Sequence, residues 1–295
     1  MSNVSIAKPV PKESVVKTTL IRLLKDPLGC FGLILVLIIL CVAILAPWVA
    51  PSDPNAIDVL SRLESPSTTH LFGTDQLGRD VFSRVVFGSR IALKVAIVSI
   101  SLSLIIGLFF GLLAGYGPQW LDKLIILLFD TMRSFPTIMF ALALVTIFGP
   151  SLNTVIIVIV ITTFPVYGRI SRTQTQGMRH NEFILAERAM GAGIFRVLSV
   201  HIFPNIIGPL LIVASMDIPV VVTIEAGLAF LGVGVPPPTP SWGSILHNGY
   251  SYIRNTPWLV IAGGGPLIIT TLGFTFLGES LRDIFDPKLK SEKDI

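Results

Sequence analysis

Charge is what this sequence has least of. Asp, Glu, Lys and Arg make up 14% of the residues, whereas a water-soluble domain runs near a quarter because its surface has to be wetted. Hydrophobic residues reach 52%, and the mean hydropathy is +0.78. So few charges cannot cover a surface in water, so most of the outside faces lipid or other apolar protein. Disorder, a coiled coil and a secreted disulfide scaffold are excluded, and the chain reads as an all-α, polytopic membrane protein. Cysteine is nearly absent too. Cys30 and Cys41 share one apolar run at a spacing of about three helical turns, too far to bridge, and read as small apolar packers.

Enzyme signatures are missing as well. His70, His180, His201 and His247 lie in loops, and none has a His or Cys partner at metal-ligand spacing. There is no H-E-x-x-H and no Ser paired with an intramembrane His, so neither a metalloenzyme nor a membrane protease is supported. The stretch Gly73-Thr-Asp-Gln-Leu-Gly78 looks like a phosphate loop, but Arg79 and Asp80 stand where Lys and Ser or Thr are needed for phosphate and Mg²⁺. The chain is expected to hold no metal, nucleotide or other cofactor. Its net charge of +4 reports loop topology rather than a nucleic-acid partner.

What is there is length in apolar runs. A helix needs about 20 such residues to cross the hydrocarbon, and six segments qualify or come close: Leu28–Val49, Ile91–Tyr116, Leu121–Phe148, Leu152–Tyr167, Asn205–Val235 and Thr256–Glu279. The fourth is short and rich in β-branched residues. It is nonetheless read as a helix, because a lone strand cannot satisfy its backbone in lipid. Lys8, Lys12, Lys17, Arg22 and Lys25 precede the first span. Arg169, Arg172, Arg179, Arg188 and Arg196 lie between the fourth and fifth, and Arg282, Lys288, Lys290 and Lys293 come after the last. This bias puts both termini in the cytoplasm. The expected plan is a tail over 1–27, a first span over 28–49, an extracytoplasmic segment over 50–90, a five-helix core over 91–279 with a cytoplasmic linker at 168–204, and a tail over 280–295. Within 50–90, Val81 to Ser89 reads as an amphipathic piece lying on the membrane surface.

Small residues recur every four positions in the second span: Ser99, Ser103, Gly107, Gly111 and Gly115. They form a face that another helix can approach closely, within this chain or on a second subunit. Ionisable groups inside spans are functional candidates by default. Asp130 and Arg133 stand at i,i+3 and are expected to pair, just before a bend at Ser134-Phe135-Pro136. Asp217 and Glu225 flank Pro219 without a local cation, and read as lining a polar path or a subunit interface.

The linker is the most informative segment. Asn181 can cap an amphipathic helix running from Glu182 to Met190, which Gly191-Ala192-Gly193 would end. A second short helix, Ile194 to Ile202, is expected to stop at Phe203-Pro204. With Ala186, Ala189, Gly191 and Ala192, the two would make a compact knob that fits a cleft in a cytoplasmic partner.

Here the sequence resembles the permease subunits of bacterial ATP-driven importers, in their dipeptide, oligopeptide and nickel branch. The superfamily's coupling loop reads E-A-A, three residues, G, nine residues, then I-x-L-P. This chain has Leu185-Ala186-Glu187 before Gly191, and His201-Ile202-Phe203-Pro204 at the far end. Ala186, Gly191 and Pro204 match, the Glu is displaced to Glu187, and His201 takes the place of Ile. Gly73-Thr-Asp-Gln-Leu-Gly-Arg-Asp-Val-Phe-Ser-Arg84, Phe230-Leu-Gly232, Pro237-Pro-Thr-Pro-Ser-Trp-Gly243, Leu281-Arg-Asp283 and Asp286-Pro-Lys-Leu289 resemble the branch's C-type permeases. The resemblance implies a type I ABC importer permease fold in the bacterial inner membrane. It implies a homologous second permease, two cytoplasmic subunits that bind ATP and Mg, an extracytoplasmic solute-binding protein, and docking of Glu182–Ala192 on the ATPases. The alternative reading is a stand-alone proton-coupled secondary transporter working through Asp130, Asp217 or Glu225.

Overall fold

The computed structural model describes residues 15–285. The tail cations Lys8, Lys12, Lys288, Lys290 and Lys293 and the 286–289 motif lie outside the described residues. Regular structure within them is helical: α1 Val15–Lys25, α2 Pro27–Ile44, α3 Ala46–Val49, α4 Val81–Tyr116, α5 Gln119–Arg133, α6 Thr137–Phe148, α7 Leu152–Met178, α8 Glu182–Ala189, α9 Ile194–Arg196, α10 Phe203–Phe230, α11 Trp242–Ser251 and α12 Pro257–Phe285. A single turn of 3₁₀ helix spans Val59–Ser61, and a π-helical stretch, Val197–Ile202, joins α9 to α10.

Five of these helices are long and apolar enough to cross a membrane, and α5 with α6 forms a further, broken crossing bent by 87°. The packing of α4 on α7 explains why the broken pair must count. Gly107 faces Phe164 and Tyr167, Gly111 faces Gly168 and Ser171, and Gly115 faces Arg172 and Thr175. Numbers rise together along the two helices, so α4 and α7 run parallel and the chain between them has to recross. Helices of 15 and 12 residues at this bend reach about 30 Å end to end, the thickness of the hydrocarbon. At the bend the hydroxyls of Thr131 and Ser134 donate to the carbonyls of Leu127 and Asp130, each at 2.7 Å. Pro136, which has no N–H to offer, then starts the next limb.

Two boundaries differ from the expectation. The segment Val81–Ser89 does not lie on the membrane surface but forms the first turns of α4, a single 36-residue helix. Asp80 sets that start, its carboxylate accepting the N–H of Ser83 at 2.7 Å. The apolar side of these turns is covered by protein rather than lipid: Val81 and Val85 pack with Ile245, Leu259 and Ala262, and the indole of buried Trp242 donates to the Val85 carbonyl at 2.9 Å. Likewise α7 does not stop at Tyr167 but continues to Met178. Polar residues end an apolar run without ending a helix, since nothing from Gly168 onward breaks the backbone ladder.

The Gly73–Arg84 stretch is a folded knot and not a phosphate loop. The carboxylate of Asp75 accepts from Arg79 Nε at 2.7 Å and from the Leu77 N–H at 2.8 Å, and Arg84 Nε lies 3.6 Å away. Arg84 also donates to the Pro54 carbonyl, and His70 meets Asp80 at 3.0 Å. Asp75, Arg79, Asp80 and Arg84 are all buried, so the knot fastens the 50–80 segment to the N-terminal end of α4. The central core joins α4, α7 and α10 through Val95, Ala96, Ile159, Tyr167, Leu210 and Val222, while α2 lies against α12 at the edge.

Candidate functional site

The linker between α7 and α10 carries several exposed large apolar side chains. Asn181 has the extended backbone of an N-cap, but its side chain makes no capping bond; Glu182 in the first turn faces the positive end of the α8 dipole instead. The helix ends in a complete Schellman turn. Gly191 takes φ +88°, its N–H donates to the Arg188 carbonyl, and the N–H of Ala192 donates to that of Glu187, both at 3.0 Å. Only glycine enters that left-handed region without strain.

Beyond the turn there is no separate second helix. α9, the π stretch and α10 run on as one, and Pro204 falls inside the run rather than ending it. A proline ring inside a helix collides with the carbonyl four residues back, and the wider π turns just before Pro204 make room for it. The knob therefore consists of α8 and its Schellman turn, set on the base of α10.

Ile184 anchors it, fully buried in one cluster with Val197 and Ile202. Around this anchor Phe183, Leu185, Ile194, Met190 (76% exposed) and Phe195 (84% exposed) are turned outward. Ala186, Ala189 and Gly191 leave the surface between them low, and no atom lies within 4 Å of a Cβ placed on Gly191. A convex apolar surface with a small-residue saddle is suited to a cleft on another protein. Exposure is the part that sequence could not give, since Ile184 and Phe195 look alike as residue types.

The intramembrane charges pair differently from the expectation. Asp130 does not pair with Arg133; it bonds to Arg169 of α7. One turn separates Asp130 from Arg133 on α5, but the face carrying Asp130 looks at α7, whereas Arg133 is exposed and has no ion pair among the described residues. A second pair, missed in the sequence, joins Asp122 to Arg172, whose Nε and Nη2 each donate to one carboxylate oxygen, Nη2 at 2.6 Å. The signal for it was absent, because a lone Asp at a helix start does not name a cation on another helix. A double-mutant cycle should give a coupling of about 1–3 kcal/mol for Asp122 and Arg172, bidentate and largely shielded. For Asp130 and Arg169, whose side chains are 55% and 40% exposed, the coupling should be under about 1 kcal/mol. Thermal unfolding in detergent measures both, and a zero coupling at Asp122–Arg172 would dissolve that pair.

Asp217 on α10 accepts the phenolic O–H of buried Tyr167 at 2.7 Å, so a side-chain hydrogen bond ties α10 to α7. Glu225 itself is fully buried, with its carboxyl turned towards Ser241, although neither oxygen meets the geometry of a hydrogen bond. In this chain by itself its carboxyl is closed off from the surface. Gly107, Gly111 and Gly115 are likewise occupied inside the chain by α7, which leaves them no face for a partner.

The sequence over residues 107–291 matches the family described as "binding-protein-dependent transport system inner membrane component". The chain belongs to that family. Residues 14–66, which take in α1 to α3, further match the N-terminal TM domain of oligopeptide transport permease C. Similar chains include the dipeptide transport system permease protein DppC of Alkalihalophilus pseudofirmus, 39% identical over 92% of this chain and 89% of that one. The di/tripeptide transport system permease protein DppC of Pseudomonas aeruginosa is 38% identical, over 90% and 89%. Among solved structures, a chain of the MetNI methionine ABC transporter in inward facing conformations aligns with a TM-score of 0.58 at 20% identity, covering 69% of this chain and 97% of that one. That likeness speaks for the fold alone, the type I ABC importer permease fold. This permease is thus a multi-pass membrane subunit of an ABC importer, and nothing in these relatives supports a stand-alone proton-coupled transporter.

Proposed function

We propose that this permease forms half of the translocation path for di- or oligopeptides and converts ATP-driven motion of cytoplasmic partners into alternating access. The observation that carries the reading is the knob: α8 and Gly191 present an exposed apolar surface on an anchored base, and the Gly191–Gly193 turn joins them to the unbroken helical run that passes through the core as α10. Peptide cargo is inferred from the names of the relatives, since no residue here singles out a substrate. The homologous second permease, two ATPases holding ATP and Mg, and the extracytoplasmic binding protein are inferred from the family.

Glu182, Ala186, Glu187, Ala189, Gly191, Ala192 and Pro204 make up the coupling segment in this reading. Asp130, Arg133, Asp217 and Glu225 are the candidates for the path or the subunit interface, and Arg133, exposed and unpaired among the described residues, is the one best placed to meet a second subunit. In this reading the knob and both termini are cytoplasmic, which is also the reading of the cation bias of the loops. Nucleotide shifts the equilibrium between outward- and inward-open states only through its different affinity for the two.

The test is purification through a tag on this chain in mild detergent, with mass spectrometry of what accompanies it. The expected result is an ATPase pair or homodimer and a second permease. A chain that comes out alone and moves solute in liposomes would overturn the reading.

A further inference from the structure

A cleft of about 590 Å³ opens where α4 ends, α5 begins and α7 ends, within the range of about 300–1,000 Å³ usual for ligand sites. One wall is backbone. Gly117 and Pro118 turn the chain from α4 into α5, and α5 starts there without a side-chain cap. The N–H groups of Gln119 and Trp120 find no backbone acceptor among the described residues, so the positive end of a 15-residue helix is left open to an anion.

The side chains point the same way. Asp122 is the one acid in the lining, and it is already neutralised: Arg172 donates to both its oxygens, and Gln176 adds a donor at 3.4 Å. Arg179 is the cation left over, with no ion pair among the described residues. Its Nη1 donates to the Gly115 carbonyl at 3.3 Å and its Nε to His180 Nε2 at 3.0 Å. These bonds hold the guanidinium at the cleft and leave Nη2 without a protein acceptor among the described residues. His180, accepting at Nε2, keeps its proton on Nδ1 as a further donor. Closing the last turn of α4 accounts for one of the Arg179 bonds, but not for the open cleft and its spare donors.

The setting favours one class of anion. Asn181, at the start of α8, follows His180 directly, so the cleft lies at the end of the bundle read as cytoplasmic. Trp120, Leu124 and Leu127 share one face of α5 and are all exposed. A tryptophan at the level of the cleft with leucines beyond it suits a lipid, aromatic at the interface and aliphatic towards the hydrocarbon. Exposed Lys123 stands between this strip and Gln119 on the helix surface. We propose that the cleft holds the phosphate of an anionic phospholipid, bound by Arg179, His180 and the first N–H groups of α5, with an acyl chain along Leu124 and Leu127. Basic clefts at the cytoplasmic membrane surface suit such headgroups, because the leaflet there is itself negative. Free phosphate shares the headgroup chemistry; the apolar strip is what favours the lipid. The site goes beyond the coupling role of α8 and does not depend on it.

The test uses the full-length permease with the subunits that accompany it, purified in mild detergent and offered phosphatidylglycerol, phosphatidylcholine or inorganic phosphate. Native mass spectrometry counts retained lipid, and thermal unfolding with and without each probe reads binding a second way. Wild type is expected to hold phosphatidylglycerol in preference to phosphatidylcholine. Arg179→Gln should bind it about tenfold more weakly, the size of one lost charge-assisted hydrogen bond. Gln119→Glu should weaken it at least as much, by setting a carboxylate beside the phosphate. That substitution places the charge where the α5 dipole favours it, so weaker binding there cannot come from a damaged fold. Arg90→Gln, at the other end of α4, should match wild type. Equal retention of phosphatidylglycerol by Arg179→Gln and Gln119→Glu would overturn the site. Binding of inorganic phosphate alone, lost in both variants, would overturn the lipid and keep the phosphate. If no probe binds and Arg179→Gln loses its ATPases, the cleft belongs to an acidic group of a partner and the proposal falls. A wild-type sample without ATPase would overturn the coupling role and leave this test standing.

Discussion

Gly191→Trp is expected to abolish uptake while leaving the permease in the membrane in normal amount. Gly191 sits at the tip of the Schellman turn with φ +88°, and a Cβ there meets no atom within 4 Å apart from its chain neighbours. Inside the chain the cost is therefore confined to the backbone, about 1–2 kcal/mol for a side chain in the left-handed region. A tryptophan, however, stands out from the low saddle that Ala186, Ala189 and Gly191 leave between exposed Met190 and Phe195, and any closely fitting cleft must reject it. Uptake should fall at least about 100-fold, equivalent to a docking defect near 3 kcal/mol, with loss of ATPase co-purification. Gly191→Ala is the control for strain, because it carries the same backbone penalty without the bulk, and it should lose less than about tenfold. Equal damage from Ala and Trp would assign the effect to the turn instead of to a docked partner. Full uptake in the Trp variant would remove α8 from the coupling machinery.

The second large effect has the opposite signature. Gly111→Leu should remove the protein itself. A Cβ on Gly111 would lie 2.5 Å from the Gly168 carbonyl oxygen and 2.5 Å from the Ser171 Cβ, and the clash is with backbone, which cannot swing aside. The remaining leucine atoms would force α4 and α7 apart along the contact that runs from Gly107 to Gly115. Overpacking usually costs about 1–3 kcal/mol and more where backbones are in contact; here it strikes the central helix pair of the fold. Membrane abundance measured by immunoblot, with thermal unfolding in detergent on whatever remains, should show loss of the folded form. A Gly111→Leu permease of normal abundance and stability would mean that α4 and α7 are not held this closely. Taken together, the two variants would separate a position that serves the fold from one proposed to serve a partner, although as residues in a sequence the two glycines are indistinguishable.

Much of this protein is a local property of its residues. Membrane residence comes from too little charge, and helicity in the spans comes from the need to satisfy each backbone group in lipid. The bend at Ser134-Phe135-Pro136, the glycine stop at Gly191 and the small-residue face of α4 also depend on near neighbours or on helical spacing, and all are readable without coordinates. The boundaries of α4 and α7 are not, because hydropathy marks where a helix leaves lipid and not where its backbone ladder ends; Asp80 and Met178 lie beyond that limit.

The partners of the charged and polar groups belong wholly to the tertiary structure. Asp130 finds Arg169 at a separation of 39 residues, and Tyr167 finds Asp217 at 50, while the i,i+3 neighbour Arg133 is passed over. Helical periodicity states which residues share a face, but which helix that face meets is decided by the packing of the whole bundle. The same packing buries Glu225 and turns Phe195 outward.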